Sequence, residues 1–137
     1  MLAVFFQRPP FVQPLPDVGG EQDMYQLTLE RFEHLLITRF IGDLTLPESV
    51  SLRQELEQIV AQEKAKDIVF DLALVDKVDN SGLGVLVAVS TIARSYGKRL
   101  ILYRPAEELN AALERAAIAG FFPLLEDDED LLAVMPD

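Results

Sequence analysis

The sequence predicts an α/β layer domain, and three observations predict it. Two strand-like runs follow one another directly, short apolar runs then alternate with longer helical stretches, and turn-forming residues stand between them. The expected architecture is a mixed β-sheet of about four to five strands with about four helices, its parallel units crossing over right-handedly. With 137 residues, half of them hydrophobic, the chain suits one compact core. It divides into a Pro-rich N-terminal arm, residues 1–23, and a single domain, residues 24–137.

The arm carries Pro9, Pro10, Pro14, Pro16 and the pair Gly19-Gly20, so neither a helix nor an inner strand runs far through it. Its Phe5, Phe6, Phe11 and Val12 leave two readings open: packing on the domain or on a second copy, or disorder. From Tyr25 to Glu30 polar and apolar residues alternate, and His34 to Ile41 is rich in strand-favouring types; these are two neighbouring strands with a turn between. After Gly42-Asp43-Leu44-Thr45, a helix is expected from Pro47 to about Lys64. Val50, Leu56, Ile59 and Val60 form its apolar face, Pro47 suits its first turn, and Glu48 sits beside its positive end.

Asp67 to Leu74 is a short apolar run bounded by charges, the pattern of an inner strand covered on both faces, and a loop from Val75 to Asn80 follows. Ser81 to Tyr96 contains β-branched valines, but its length decides for a buried helix, with Ser81 as candidate N-cap and Gly97 just past the end. Lys98 to Tyr103 is a further strand. Pro105 opens a helix through about Ala119 that Gly120 stops, and Phe121 to Leu125 is a last short strand. The acids from Glu126 to Asp130 suit the start of a final helix through Val134.

Twelve Lys and Arg face 23 Asp and Glu, a formal net charge of −11. Direct nucleic-acid binding is therefore not expected, since neutralising phosphates needs a clustered positive surface. Basic partner surfaces are. The chain has no Cys and one histidine, which excludes disulfides, thiolate metal sites and a cysteine nucleophile. The apolar opening from Met1 to Phe6 lacks a basic flank and is too short for a signal segment or a membrane span, so a cytoplasmic protein is expected.

The stretch from Val78 to Val85, V-D-N-S-G-L-G-V, lies between an inner strand and a buried helix, where α/β proteins expose backbone donors. Two readings stand side by side. Either Ser81 caps the helix and Gly82 and Gly84 permit close packing, or the glycines clear space for another chain or a modifying enzyme to approach Ser81. Asp79 is a turn residue or an orienting group for the Ser81 hydroxyl. Asp71 invites comparison with a receiver phosphoacceptor, but no acidic pair ends an earlier strand. His34 has no partner motif and reads as a strand histidine; Glu126 to Asp130 reads as a solvated helix start. No catalytic set, metal site, cofactor or nucleotide loop is expected, which ranks an enzyme last.

Asp67-Ile-Val-Phe-Asp-Leu, Val78-Asp-Asn-Ser-Gly-Leu-Gly, Gly97-Lys-Arg-Leu-Ile-Leu and Ala119-Gly-Phe-Phe together resemble the STAS family, named for sulfate transporters and anti-sigma factor antagonists. The resemblance runs from about Tyr25 to Met135. Asp79, Ser81, Gly82, Leu83 and Gly84 fall on the family's signature loop. It implies a STAS-like single domain and a binding module that regulates transcription indirectly by partner switching. The partner would be an anti-sigma factor and serine kinase of the ATPase-fold type, with phosphorylation of Ser81 as the gate and a phosphatase to reset it. The implied partner-binding residues are Asp43, Thr45, Asp79, Asn80, Ser81, Gly82, Leu83 and Gly84. Two positions depart from the pattern: Asn80 stands where a first serine is common, and Thr45 where antagonists usually carry an aspartate. These departures and the apolar arm keep an alternative open: an unphosphorylated STAS scaffold or ligand-binding module that either self-associates through the arm or serves as a subunit of a larger signalling or transport complex.

Overall fold

The computed structural model describes residues 3–5 and 25–135. Strands β1 (Ala3–Phe5), β2 (Tyr25–Arg31), β3 (Leu35–Leu44), β4 (Asp67–Val78), β5 (Arg99–Tyr103) and β6 (Leu124–Leu125) form one sheet in sequential order. Helices α1 (Leu46–Gln62), α2 (Asn80–Ser95), α3 (Glu107–Arg115) and α4 (Asp128–Val134) complete the chain. The first three strands are antiparallel and β3 to β6 run parallel, so the sheet is mixed as expected. Five of its strands lie within residues 24–137; the sixth is β1, through which the arm adds an edge to β2. The expectations for the arm's prolines and for packing by Phe6, Phe11 and Val12 lie outside the described residues.

Three successive parallel connections advance in the same direction along the sheet, and connections of one hand place their helices on one face. Leu52, Leu56 and Ile59 of α1, Leu86 and Val89 of α2, and Leu109 and Leu113 of α3 accordingly pack on Leu36, Phe40, Ile68 and Phe70. Leu35, Ile37, Val69, Ile101 and Tyr103 line the opposite face, where Leu131 of α4 covers them. β4 is thus an inner strand buried on both faces from Ile68 to Leu72. The Tyr103 hydroxyl donates to Asp128 and ties α4 to that face. Burial, and then this hydrogen bond, pushes the Tyr103 phenol up to about 12.

Asp71 is also buried on the α4 face, where Arg39 Nε at 3.0 Å and Arg104 Nη2 at 2.9 Å donate to its Oδ2, and the Ala73 N–H to its Oδ1. Paired in this way, a buried charge is tolerated. The carboxylate is a structural centre.

Several boundaries differ from those the sequence suggests. β4 runs through the expected loop to Val78, because Gly42 and Leu44 of β3 pair with its Val75 and Val78. Each of two register shifts sets one extra β4 residue against β3, so the pairing survives the polar Asp76 and Lys77. Within α1, Leu52 takes the core position expected of Val50, which faces outward. α3 ends at Arg115, before the expected Ala119. Ala117 adopts a left-handed φ of 61°, and the N–H groups of Ala117 and Ile118 return to the carbonyls of Glu114 and Leu113. Gly120 then lies in a short 3₁₀ turn, Ala119–Phe121, which leaves only Leu124–Leu125 for β6. Gly97 ends α2 as expected: its φ is 73°, and Lys98 N bonds Ala93 O at 2.8 Å.

Candidate functional site

The loops leaving β3 and β4 meet at one end of the sheet because the parallel strands carry both connections there. The β3–α1 turn reads Thr45-Leu46-Pro47-Glu48, the S/T-x-x-E signature of a helix start. Thr45 is the α1 N-cap, and the Glu48 carboxylate accepts from both its N–H and its hydroxyl. The Thr45 hydroxyl therefore turns inward onto a carboxylate that is itself buried.

Asp79, not Ser81, caps α2. Its Oδ1 accepts from Gly82 N at 3.1 Å, while its Oδ2 accepts from Leu46 N, the first residue of α1, at 3.0 Å. One carboxylate thus serves the N-termini of two helices, where unpaired N–H groups and the helix dipoles favour negative charge. The Asp79 N–H donates to Leu44 O at 3.0 Å, and Asp43 Oδ1 accepts from Lys77 N at 3.1 Å. Asp43 near the end of β3 thereby holds β4, and Asp79 just after β4 holds the start of α1.

Gly82 completes the brace. A Cβ at that position would stand 2.0 Å from Leu44 O and 2.7 Å from Leu44 Cβ, so only glycine lets α2 start flush against the end of β3. Its backbone is not left-handed, so the requirement is one of space. Gly84 is the opposite case: it is exposed, and no neighbouring atom lies within 4 Å of where its Cβ would be.

The eight residues the sequence singles out are brought together, but they do not face the same way. Asp79, Asn80 and Gly84 are exposed; Asp43, Thr45 and Ser81 are half-buried; Gly82 and Leu83 point into the domain. The Ser81 hydroxyl engages no partner among the described residues. Among the described residues it is left unpaired in the first turn of α2, between the exposed Asn80 and the close-packed Gly82. A hollow of about 390 Å³ opens between the start of α2 and the end of α3, lined by Val78, Asp79, Asn80, Leu83, Ala112, Arg115 and Ala116; Ser81 does not line it.

Sequence reasoning missed the double use of Asp79, because Leu46 lies 33 residues away and no local pattern joins the two. It also read Glu48 only as a dipole partner. The T-x-x-E spacing carried the signal for its hydrogen bonds to Thr45.

Among the described residues no group of His, Asp or Glu is arranged to hold a metal ion, and no helix is long and apolar enough to cross a membrane.

Comparison with known proteins adds a family. A family model described as Mlab, STAS domain, matches residues 39–126. An anti-sigma F factor antagonist from Paenibacillus polymyxa is 21% identical over 107 residues, spanning 78% of this chain and 92% of that protein. Among solved structures, an anti-sigma factor antagonist from Mycobacterium paratuberculosis matches with a TM-score of 0.68 at 17% identity, over 82% of this chain and 95% of that one. The unphosphorylated form of SpoIIAA, an anti-sigma factor antagonist of Bacillus, matches with a TM-score of 0.64 at 16% identity, over 81% and 99%.

Proposed function

We propose that this chain, which belongs to the STAS domain family, is an anti-sigma factor antagonist: a regulatory binding protein without catalysis of its own, gated by phosphorylation of Ser81. The observation that carries the reading is the Ser81 hydroxyl, which has no partner among the described residues and is half-buried in the first turn of α2, a turn that Asp79 and Gly82 hold against the end of β3. A hydroxyl already spent as a helix cap would have to leave that role before it could be modified. This one does not.

The partner is an anti-sigma factor with serine-kinase activity. In the gating step the Ser81 oxygen takes the γ-phosphoryl group of ATP, the bond between the γ-phosphorus and its bridging oxygen breaks, ADP leaves, and the hydroxyl proton passes to a base on the kinase. The product carries about −1.5 to −2 charges at pH 7. It would sit two residues from the Asp79 carboxylate, with Asp43 near the end of the adjoining strand β3, so a partner surface desolvated there loses its fit. A phosphatase restores the binding form.

The test is a quantitative pull-down from the source cells with wild-type, Ser81→Ala and Ser81→Asp baits, read by mass spectrometry. Recovery of an ATPase-fold protein by wild type and Ser81→Ala but not by Ser81→Asp is the expected result; equal recovery by all three sinks the gate.

A second reading is favoured by the family match itself, to an Mlab-type STAS domain, together with Thr45 and Asn80 at positions where antagonists carry other residues. In that reading the chain is an unphosphorylated subunit of a larger assembly. Partners indifferent to position 81 would favour it, as would a change of oligomeric mass on deleting residues 1–22.

A further inference from the structure

At the end of the sheet where β2 begins and β3 finishes, the two faces are covered unequally. On the helix face Tyr25 is buried and its hydroxyl lies 2.8 Å from Ser51 Oγ, so α1 reaches the margin of the sheet there. On the other face α4 covers Leu35, Ile37, Val69, Ile101 and Tyr103, which stand toward the start of β3, and its cover stops short of the strand's far end. Ile41 lies on that face, because its neighbour Phe40 points into the helix-side core, and its register partner Leu74 on β4 lies beside it. The two are 40% and 54% exposed. Single exposed aliphatics need no explanation, but β3 and β4 are inner, parallel-paired strands, and such strands are ordinarily covered on both faces.

The chain itself supplies an occupant. β1 runs antiparallel to β2 with Phe5 opposite Leu29, so it heads toward the end from which β2 starts. Residues 6–24, whose course lies outside the described residues, therefore leave and return at that same end. Strand geometry sets Phe5 and Tyr25 about 14 Å apart, whereas the segment between them reaches roughly 60 Å when extended. It has ample length to cross a face, and α1 already holds one of the two. It re-enters the sheet at Tyr25, whose neighbour Gln26 is directly opposite Ile41. The segment brings Phe6, Phe11, Val12, Leu15 and Val18. Its four prolines have no N–H, so a stretch laid across side chains, outside any strand ladder, has fewer backbone donors to satisfy.

We propose that residues 6–24 pack their apolar side chains on Ile41 and Leu74 of their own sheet, covering the part of the face that α4 leaves bare. The arm then has an intramolecular role, the opposite of self-association through it, and this role is independent of the gate at Ser81.

The chain has no cysteine, so a single introduced thiol reports on its own surroundings. Leu74→Cys and, as a control on α4, Leu132→Cys are made in the full chain; Leu132 is 67% exposed. Each variant is checked for its fold by circular dichroism and labelled with a maleimide. Its rate is divided by that of the same variant unfolded in urea, which removes differences in intrinsic thiol reactivity. The thiol at position 74 is expected to react at least tenfold more slowly than that at 132, at a rate independent of protein concentration and with a monomeric mass by light scattering. Adding Phe6→Ser, Phe11→Ser, Val12→Ser and Leu15→Ser together should bring position 74 to within about twofold of position 132.

Equal rates at 74 and 132 in the otherwise unchanged chain overturn the proposal. Slow labelling at 74 that survives the four serine substitutions overturns the segment as the occupant. Protection that fades on dilution, with a dimeric mass, assigns the face to a second copy and overturns the intramolecular role.

Discussion

The two flanks of the α2 first turn are built to opposite rules. On the inner flank every group is committed: Asp79 caps two helices, its N–H holds Leu44 O, and Gly82 leaves no room for a methyl group against that carbonyl. On the outer flank nothing is committed: the Ser81 hydroxyl has no partner among the described residues, and Gly84 faces open space. The two glycines are two positions apart and look equivalent in the sequence, yet one is there for the fold and the other is not explained by it. The contrast teaches that a binding loop needs a rigid underside before it can present a bare surface. Preorganisation lowers the ordering cost of association.

The largest test of this division falls on the inner flank. Gly82→Ala drives a Cβ to 2.0 Å from a backbone oxygen that no side-chain rotation relieves, so α2 must shift away from β3. A loss of about 3 kcal/mol is expected, at the upper end for overpacking, read as a fall in the denaturation midpoint. A loss below about 1 kcal/mol would mean that α2 slides freely on β3 and that the underside is not rigid.

Asp79→Ala comes next. It removes the cap of α2 and the acceptor of the first α1 N–H together, and a loss of about 2 kcal/mol is expected, roughly a cap's worth at each helix. Asp79→Asn keeps one acceptor oxygen and should lose about half as much. Hydrogen exchange gives the sharper readout, because the amides of Gly82 and Leu46 should both exchange faster in Asp79→Ala although they lie 36 positions apart. Acceleration of Gly82 alone would break the claim that one side chain braces both loops.

How much of this was legible in the sequence follows the same division between local and long-range signals. The sheet, the four helices and the Gly97 terminus were readable because periodicity and end residues are local patterns. The length of β4 was not. Asp76 and Lys77 carry loop chemistry, and only pairing with the end of β3, 33 positions away, makes them strand. The same distance hides the Asp79–Leu46 hydrogen bond, and Asp79 holds the capping role for which Ser81 is the candidate in the sequence. Spacing alone puts Val50 on the apolar face because it identifies a stripe but not its centre, and a shift of two residues exchanges Val50 for Leu52. The signature loop was recognisable as a string of residues. The sorting of its members into inward and outward groups was not, since it depends on Leu44 lying behind Gly82.

The smallest effects are expected on the outer flank, and they carry the most information because their sign is at stake. Ser81→Ala removes a hydroxyl without a partner among the described residues, and stability should change by no more than about 0.5 kcal/mol, within the range for surface substitutions. Gly84→Ala should go further and stabilise the fold by about 0.5 to 1 kcal/mol, since the added methyl group meets nothing and restricts the unfolded chain at a helical position. That gain corresponds to a rise of roughly 2 to 4 °C in Tm for a chain of this size. A domain selected only to stay folded would carry alanine here. A variant that is more stable and binds its partner less well is therefore the expected pair of outcomes, and the two must be measured on the same preparation. If Gly84→Ala instead destabilises the protein, the outer flank is packed after all, and the division between the two flanks of α2 fails at its clearest point.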